Sequence, residues 1–187
     1  MFGGGTETSR TVLEWSMSEL FRHPKAMVKE QLELQEVLGQ DRAIITNNDH
    51  GELQYMWMVI KEALRLHPPC PLVHSAARAD CTILGYDVIK GNTVLVNAFA
   101  VCRDQKYWKI PEEFIPERFE NTKIDYNGTS FEVTPFGAWR KQCPGVSFAT
   151  STMESHLRTF STILTGCFLM GKRQNHLTCL KCLGSLS

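Results

Sequence analysis

The sequence predicts a mainly helical fold with a small β component, on three observations. Apolar residues recur at helical spacing in three successive stretches before residue 67. Between Cys81 and Val101 the pattern changes to short β-branched runs. From Arg103 onward, Pro, Gly and Asn punctuate aromatic residues, as an irregular but packed meander requires. A chain of 187 residues with 43% hydrophobic content is enough for one domain with a real core.

The first helix is expected over Thr6–Phe21, where Leu13, Met17, Leu20 and Phe21 form a one-sided stripe. Gly3, Gly4 and Gly5 each disfavour a helix by about 1 kcal/mol relative to Ala, so a deformed turn or a close neighbour is expected there. Pro24 suits a first helical position and Gly39 a position just past the end, which defines a second helix. In the third, Met56, Val59, Ile60, Ala63 and Leu64 stand at core spacing before Pro68 and Pro69 stop the helix. The runs "CTILGYDV" and "NTVLVNAFAV", separated by "IKG", predict a hairpin. A short helix starts after Gly145, and its pattern loses clarity beyond Glu154.

Twenty acidic and twenty basic residues cancel, so no long-range field favours nucleic acid or an anionic membrane. Seven cysteines form no even framework, and neither a signal peptide nor a spanning apolar run is visible, which predicts a reduced compartment. The chain opens directly into helical periodicity and reads as a piece of something longer.

Two groups of residues suggest chemistry. Glu62 and Arg65 lie three apart on the third helix and share a face; Arg118 in "PERF" offers a second cation if the meander folds back. The plain alternative is an exposed helix pair worth a few tenths of a kcal/mol. Cys143, in "PFGAWRKQCPG", admits three readings. It could be a buried structural cysteine or a zinc ligand, although no C-x-x-C partner stands near it. It could also be an axial thiolate of a haem, presented by a loop that Gly137, Pro144 and Gly145 shape and that Arg140 and Lys141 charge.

Four motifs in order carry a resemblance. "GGGTETS", "EALR", "PERF" and "FGAWRKQCPG", with "LRLHPP" and "KYWKIPEEF" between them, resemble the C-terminal half of a plant-type cytochrome P-450 from its oxygen-activation helix through its cysteine loop. The resemblance runs from Met1 to about Glu154. It implies a haem-thiolate monooxygenase, inserting one atom of O2 into a small organic substrate of the plant secondary-metabolite kind. The implied cofactor is haem b, iron protoporphyrin IX, with electrons from NADPH passed on by a reductase.

By position, the resemblance makes Cys143 the axial ligand of the iron and Thr8, preceded by Glu7, the route for protons to dioxygen. Phe136, Arg140, Lys141 and His74 become haem contacts, and Glu62, Arg65 and Arg118 a structural charge cluster. Trp139 departs from the family's Gly and Lys141 from its Arg. Relatives are anchored in the endoplasmic reticulum membrane through an N-terminal segment absent here, so this chain alone is expected to be cytoplasmic or without an assigned place.

The family likeness divides the chain into a partial haem domain, residues 1–154, and an aberrant tail, residues 155–187. Read one base earlier, His156–Leu164 can encode the family-like "PLANLLYHF", which implies a one-base frame shift near Ser155. His176, Cys179 and Cys182 in the tail lack a fourth ligand and are not expected to hold a metal. The alternative to a monooxygenase is a nonfunctional or haem-sequestering product of a decayed gene.

Overall fold

The computed structural model describes residues 2–38, 53–122, 124–125, 130–138 and 142–171. Helix α1 (Phe2–Arg22) begins four residues before the expected start and takes the glycines into its first turn. Nothing crowds Gly4, and a Cβ on Gly5 would meet only Phe148 Cε1, at 3.9 Å. The glycines therefore mark a smooth face near another helix, and no deformed turn forms. The chain breaks at His23, because Pro24 has no N–H to continue the ladder, and α2 (Pro24–Leu38) starts with that proline.

Helix α3 (Gln54–Leu66) buries Met56, Val59, Ile60, Ala63 and Leu64. Its start is held by Glu33 of α2, whose carboxylate accepts from the amides of Tyr55, at 2.7 Å, and Met56, at 3.0 Å. A carboxylate at that end satisfies orphan N–H groups and complements the helix dipole. At the other end Arg103 donates to the Leu66 carbonyl.

The β region pairs differently from the expected hairpin. Strand β2 (Cys81–Ile83) turns back on β3 (Tyr86–Val88), while β4 (Thr93–Asn97) pairs antiparallel with β1 (Leu72–Ala76). Leu84 at φ 52 and Gly85 at φ 86 make a two-residue turn with both φ positive, which closes the hairpin inside "CTILGYDV" rather than at "IKG". Residues Ala98–Val101, expected as strand, form the short helix α4, capped by the Asn97 side chain accepting from Ala100 N–H at 2.9 Å.

Helix α5 (Val146–Gly171) corrects the expectation of a short helix that fades after Glu154. Ala149, Met153 and Leu157 repeat every four residues and face α1 and α2; Met153 and Leu157 are buried. Glu154 and Arg158, also buried, form an ion pair one turn apart. The stripe and the pair carry helical packing across residue 155 as far as Ser161, where the sequence pattern had lost clarity. The core lies where α1, α2, α3 and α5 meet, with Trp108, Phe119 and Val133 of the meander in a smaller cluster.

Candidate functional site

The third helix and the meander meet at a knot of charge. Glu62 and Arg65 share a buried face of α3, and the 3₁₀ turn Pro116–Phe119 brings Arg118 back to them. Arg65 donates to both oxygens of Glu62, Nε to Oε2 and Nη2 to Oε1, each at 2.8 Å. Arg118 Nε and the Ile115 amide both donate to Oε1 at 2.9 Å. The remaining guanidinium donors are used on carbonyls: Arg65 on Cys102, Pro111 and Glu113, and Arg118 on Lys109, Ile110 and Glu113. Glu62 and Arg65 are both 0% exposed, so the exposed-pair alternative does not describe them. Complete hydrogen bonding is what lets charges sit at such depth.

Sequence reasoning missed the neutral half of this knot. Trp108 lies under the two guanidinium groups, 5.2 Å from Arg65 and 5.8 Å from Arg118, and stacks at a tilt on Phe119. Its signal was a large aromatic, next to Tyr107, between the two lysines of "KYWK". Carbonyl acceptors leave no such signal, because every residue type supplies one.

Cys143 sits three residues before α5. Its amide donates to the Phe136 carbonyl at 2.7 Å, and Gly137 turns the loop at φ 79, a region that favours glycine. The thiol is exposed and free, in contrast to Cys102, which is buried and whose thiol burial pushes up. Gly145 leaves room beside the sulfur, since a Cβ there would come to 3.7 Å from Sγ. Phe136 packs against the main core, while Phe148, one turn into α5, is exposed near Gly5 of α1. The first turn of α1 and the first turn of α5, which follows the cysteine loop, thus lie side by side.

Thr8 lies in those turns, its hydroxyl donating to the Gly4 carbonyl at 2.6 Å, with Glu7 exposed beside it. His74 is exposed on β1, opposite Leu95 of β4. Trp139, Arg140 and Lys141 lie outside the described residues, as do His176, Cys179 and Cys182. Among the described residues no group of three His, Cys, Asp or Glu could hold a metal ion, and no helix is long and apolar enough to cross a membrane.

The exposed sulfur of Cys143 ahead of α5 and the buried knot of Glu62, Arg65 and Arg118 are thus two separate features of one scaffold. The family profile described as cytochrome P450 matches residues 1–163. The chain belongs to the cytochrome P450 family. It is 46% identical over 155 residues to ent-isokaurene C2/C3-hydroxylase of Oryza sativa subsp. japonica, covering 82% of this chain and 30% of that protein. Ent-cassadiene hydroxylase of the same organism is 49% identical over 156 residues, with 82% and 30% covered. Germacrene A hydroxylase of Barnadesia spinosa is 43% identical over 187 residues, with 99% and 37% covered. The chain therefore spans about a third of the length of these relatives.

Membership of the family implies a haem with thiolate-bound iron. The residues present fit it: the sulfur is free and exposed, its backbone is tied to that of Phe136, and Gly145 stands beside it.

Proposed function

We propose that this chain is the C-terminal portion of a haem-thiolate monooxygenase that inserts one atom of O2 into a small apolar substrate of the terpenoid or alkaloid kind. The reading rests on one observation above the others: Cys143 presents a free, exposed sulfur from a loop fixed by its own amide. When bound, the haem supplies dioxygen activation, with electrons from NADPH by way of a reductase, and the second oxygen atom leaves as water.

The chain's own residues then have separate tasks. Cys143 donates its sulfur, and the hydrogen bond from its amide to Phe136 fixes the direction in which that sulfur points. Thr8 is the last donor of a proton relay; its hydroxyl rests on the Gly4 carbonyl and must leave it to serve a substrate-side acceptor. Glu7, exposed one residue earlier, takes up protons from solvent. His74 on β1, with Arg140 and Lys141 by their place in the sequence, would hold the haem carboxylates. Glu62, Arg65 and Arg118 hold the meander to α3 and are positioning residues.

The whole protein works at the endoplasmic reticulum membrane, beside its reductase. The sequence past Ser155 reflects a one-base frame shift, and sequencing the transcript decides that. The comparisons lend no support to a non-catalytic decayed product. The full chain, mixed with haem, reduced and exposed to carbon monoxide, is expected to give a thiolate-type Soret band, and Cys143→Ser to lose that band while still unfolding cooperatively. A Cys143→Ser protein with an unchanged band overturns the assignment.

A further inference from the structure

Cys102 is buried, 1% exposed, and has no task in the reaction proposed for this chain. Its backbone is fixed on both sides. The amide donates to the Ala98 carbonyl at 2.9 Å, at the end of α4, and the carbonyl accepts from Arg65 Nη1 at 2.8 Å. The side chain therefore leaves from a point tied directly to the knot of Glu62, Arg65 and Arg118.

The sulfur meets the backbone of Thr134. Burial is the largest influence on the Cys102 thiol and pushes it up, which keeps the sulfur neutral; a hydrogen bond with the Thr134 backbone and the charges of Arg65 and Arg103 act the other way. Among hydrogen bonds, only one donated to the sulfur favours the thiolate, so this bond runs from the Thr134 N–H to Sγ. Packing places Thr134 near Cys102 as well. Its neighbour Val133, 1% exposed, packs with Trp108, and the Trp108 ring lies under the Arg65 guanidinium that holds the Cys102 carbonyl. Thr134 belongs to no helix or strand, so its amide has no ladder to join.

Thr134 is also the root of the cysteine loop. Its carbonyl accepts from the Gly137 amide at 3.1 Å, which closes the turn at φ 79, and the Phe136 carbonyl inside that turn accepts from the Cys143 amide at 2.7 Å. We propose that Cys102 is a positioning residue for Cys143: its sulfur, held in place from Arg65, anchors Thr134 and with it the turn that presents Cys143. The purpose of that anchor rests on the reading of Cys143 as a haem thiolate, whereas the anchoring itself is a property of the polypeptide alone. Serine can replace the sulfur as an acceptor, and alanine, of nearly the same size as serine, cannot. The two variants share the loss of volume and differ only in the hydrogen bond.

The test is amide hydrogen exchange in the full chain labelled with nitrogen-15, with the amides of α2 as reference. In the unaltered protein the Thr134 amide is expected to be protected. In Cys102→Ala the amides of Thr134, Gly137 and Cys143 should exchange about three- to tenfold faster, the factor that one neutral hydrogen bond supplies, while α2 stays unchanged. Cys102→Ser should restore most of that protection. With haem added, the reduced Cys102→Ala protein under carbon monoxide should lose part of its thiolate-type Soret band, and Cys102→Ser should keep it. An unprotected Thr134 amide in the unaltered protein, a result that needs no variant to fold, overturns the proposal. So does equal loss of protection in the Ala and Ser variants, which would make Cys102 a space-filling residue only. The expected exchange pattern without any thiolate-type band in the unaltered protein supports the anchor and overturns the haem reading instead.

Discussion

Glu62 and Glu30 are both 0% exposed, yet the two carboxyl groups live in opposite surroundings. Glu62, on α3, receives four hydrogen bonds, three of them from guanidinium nitrogens and one from a backbone amide. Glu30, on α2, faces α5 at Ser161, and no ion pair to it exists among the described residues. Burial pushes Glu30 up to about 7; the Ser161 hydroxyl draws it back only in part, and the charge of Glu33 adds to the rise. Depth alone thus does not fix what a buried acid contributes; its partners do. One region is built around a charge, and the other tolerates an acid by keeping it protonated through most of the acidic range.

Breaking the first region is expected to have the largest effect. Glu62→Ala leaves Arg65 fully buried with Arg118 beside it and no carboxylate, and should cost about 3–5 kcal/mol in urea-induced unfolding. Replacing Glu62 and Arg65 together by Leu should cost clearly less than the single change, because the fully buried cation goes with its carboxylate and only Arg118, 10% exposed and still bonded to carbonyls, is left without one. Equal losses for the single and double variants would show that the knot acts through packing and not through charge.

The second region gives the opposite sign. The folded-state value of Glu30 lies above its ordinary 4.5, so below about pH 4.5 the group is protonated in both states and costs nothing. As pH rises from 4.5 towards 7, the unfolded chain releases its proton while the folded chain keeps it, and stability falls. The full cost, up to about 3 kcal/mol, is present above pH 7. Glu30→Gln should therefore raise the melting temperature at pH 8 and leave it nearly unchanged at pH 4. A gain that is the same at both values would assign the effect to shape and not to ionisation.

The same contrast explains what could be read in the sequence. Helices α1 to α3 were legible from apolar spacing and from Pro24, Pro68 and Pro69, which act through local sterics. Pairing of β1 with β4 was not, since β1 reads as "LVHSA" with alternating exposure and too few β-branched residues, and its partner lies some twenty residues away. The turn at Leu84 was hidden for a different reason: a leucine at φ 52 is set by its glycine neighbour and the strands around it, not by its own preference. At the candidate site the charged members of the knot carry motifs, whereas Trp108 and the carbonyls that complete it do not. The continuation of α5 was obscured because Glu154 and Arg158 look like surface residues until the pair they form is seen.

A third carboxylate, Glu117, stands between the two extremes, and its partner gives the smallest expected effect. Burial pushes Glu117 up, but the hydrogen bonds from Lys29, its own backbone and Tyr55 outweigh that, and its value ends below the ordinary range. Lys29 reaches it from α2, over the ring of Tyr55, whose hydroxyl donates to the same oxygen at 3.1 Å. Because Glu117 is depressed, its contribution is present above its unfolded value and disappears as pH falls through the folded one, the reverse of Glu30. Solvent reaches both partners, 55% exposed for Lys29 and 37% for Glu117, so screening keeps the pair weak. Lys29→Met should cost under about 1 kcal/mol at pH 7 in low salt, less in 1 M salt, and nothing near pH 2. If the loss instead persists at pH 2 or in high salt, the lysine stem packed over Tyr55 holds α2 to the meander, and the charge is incidental.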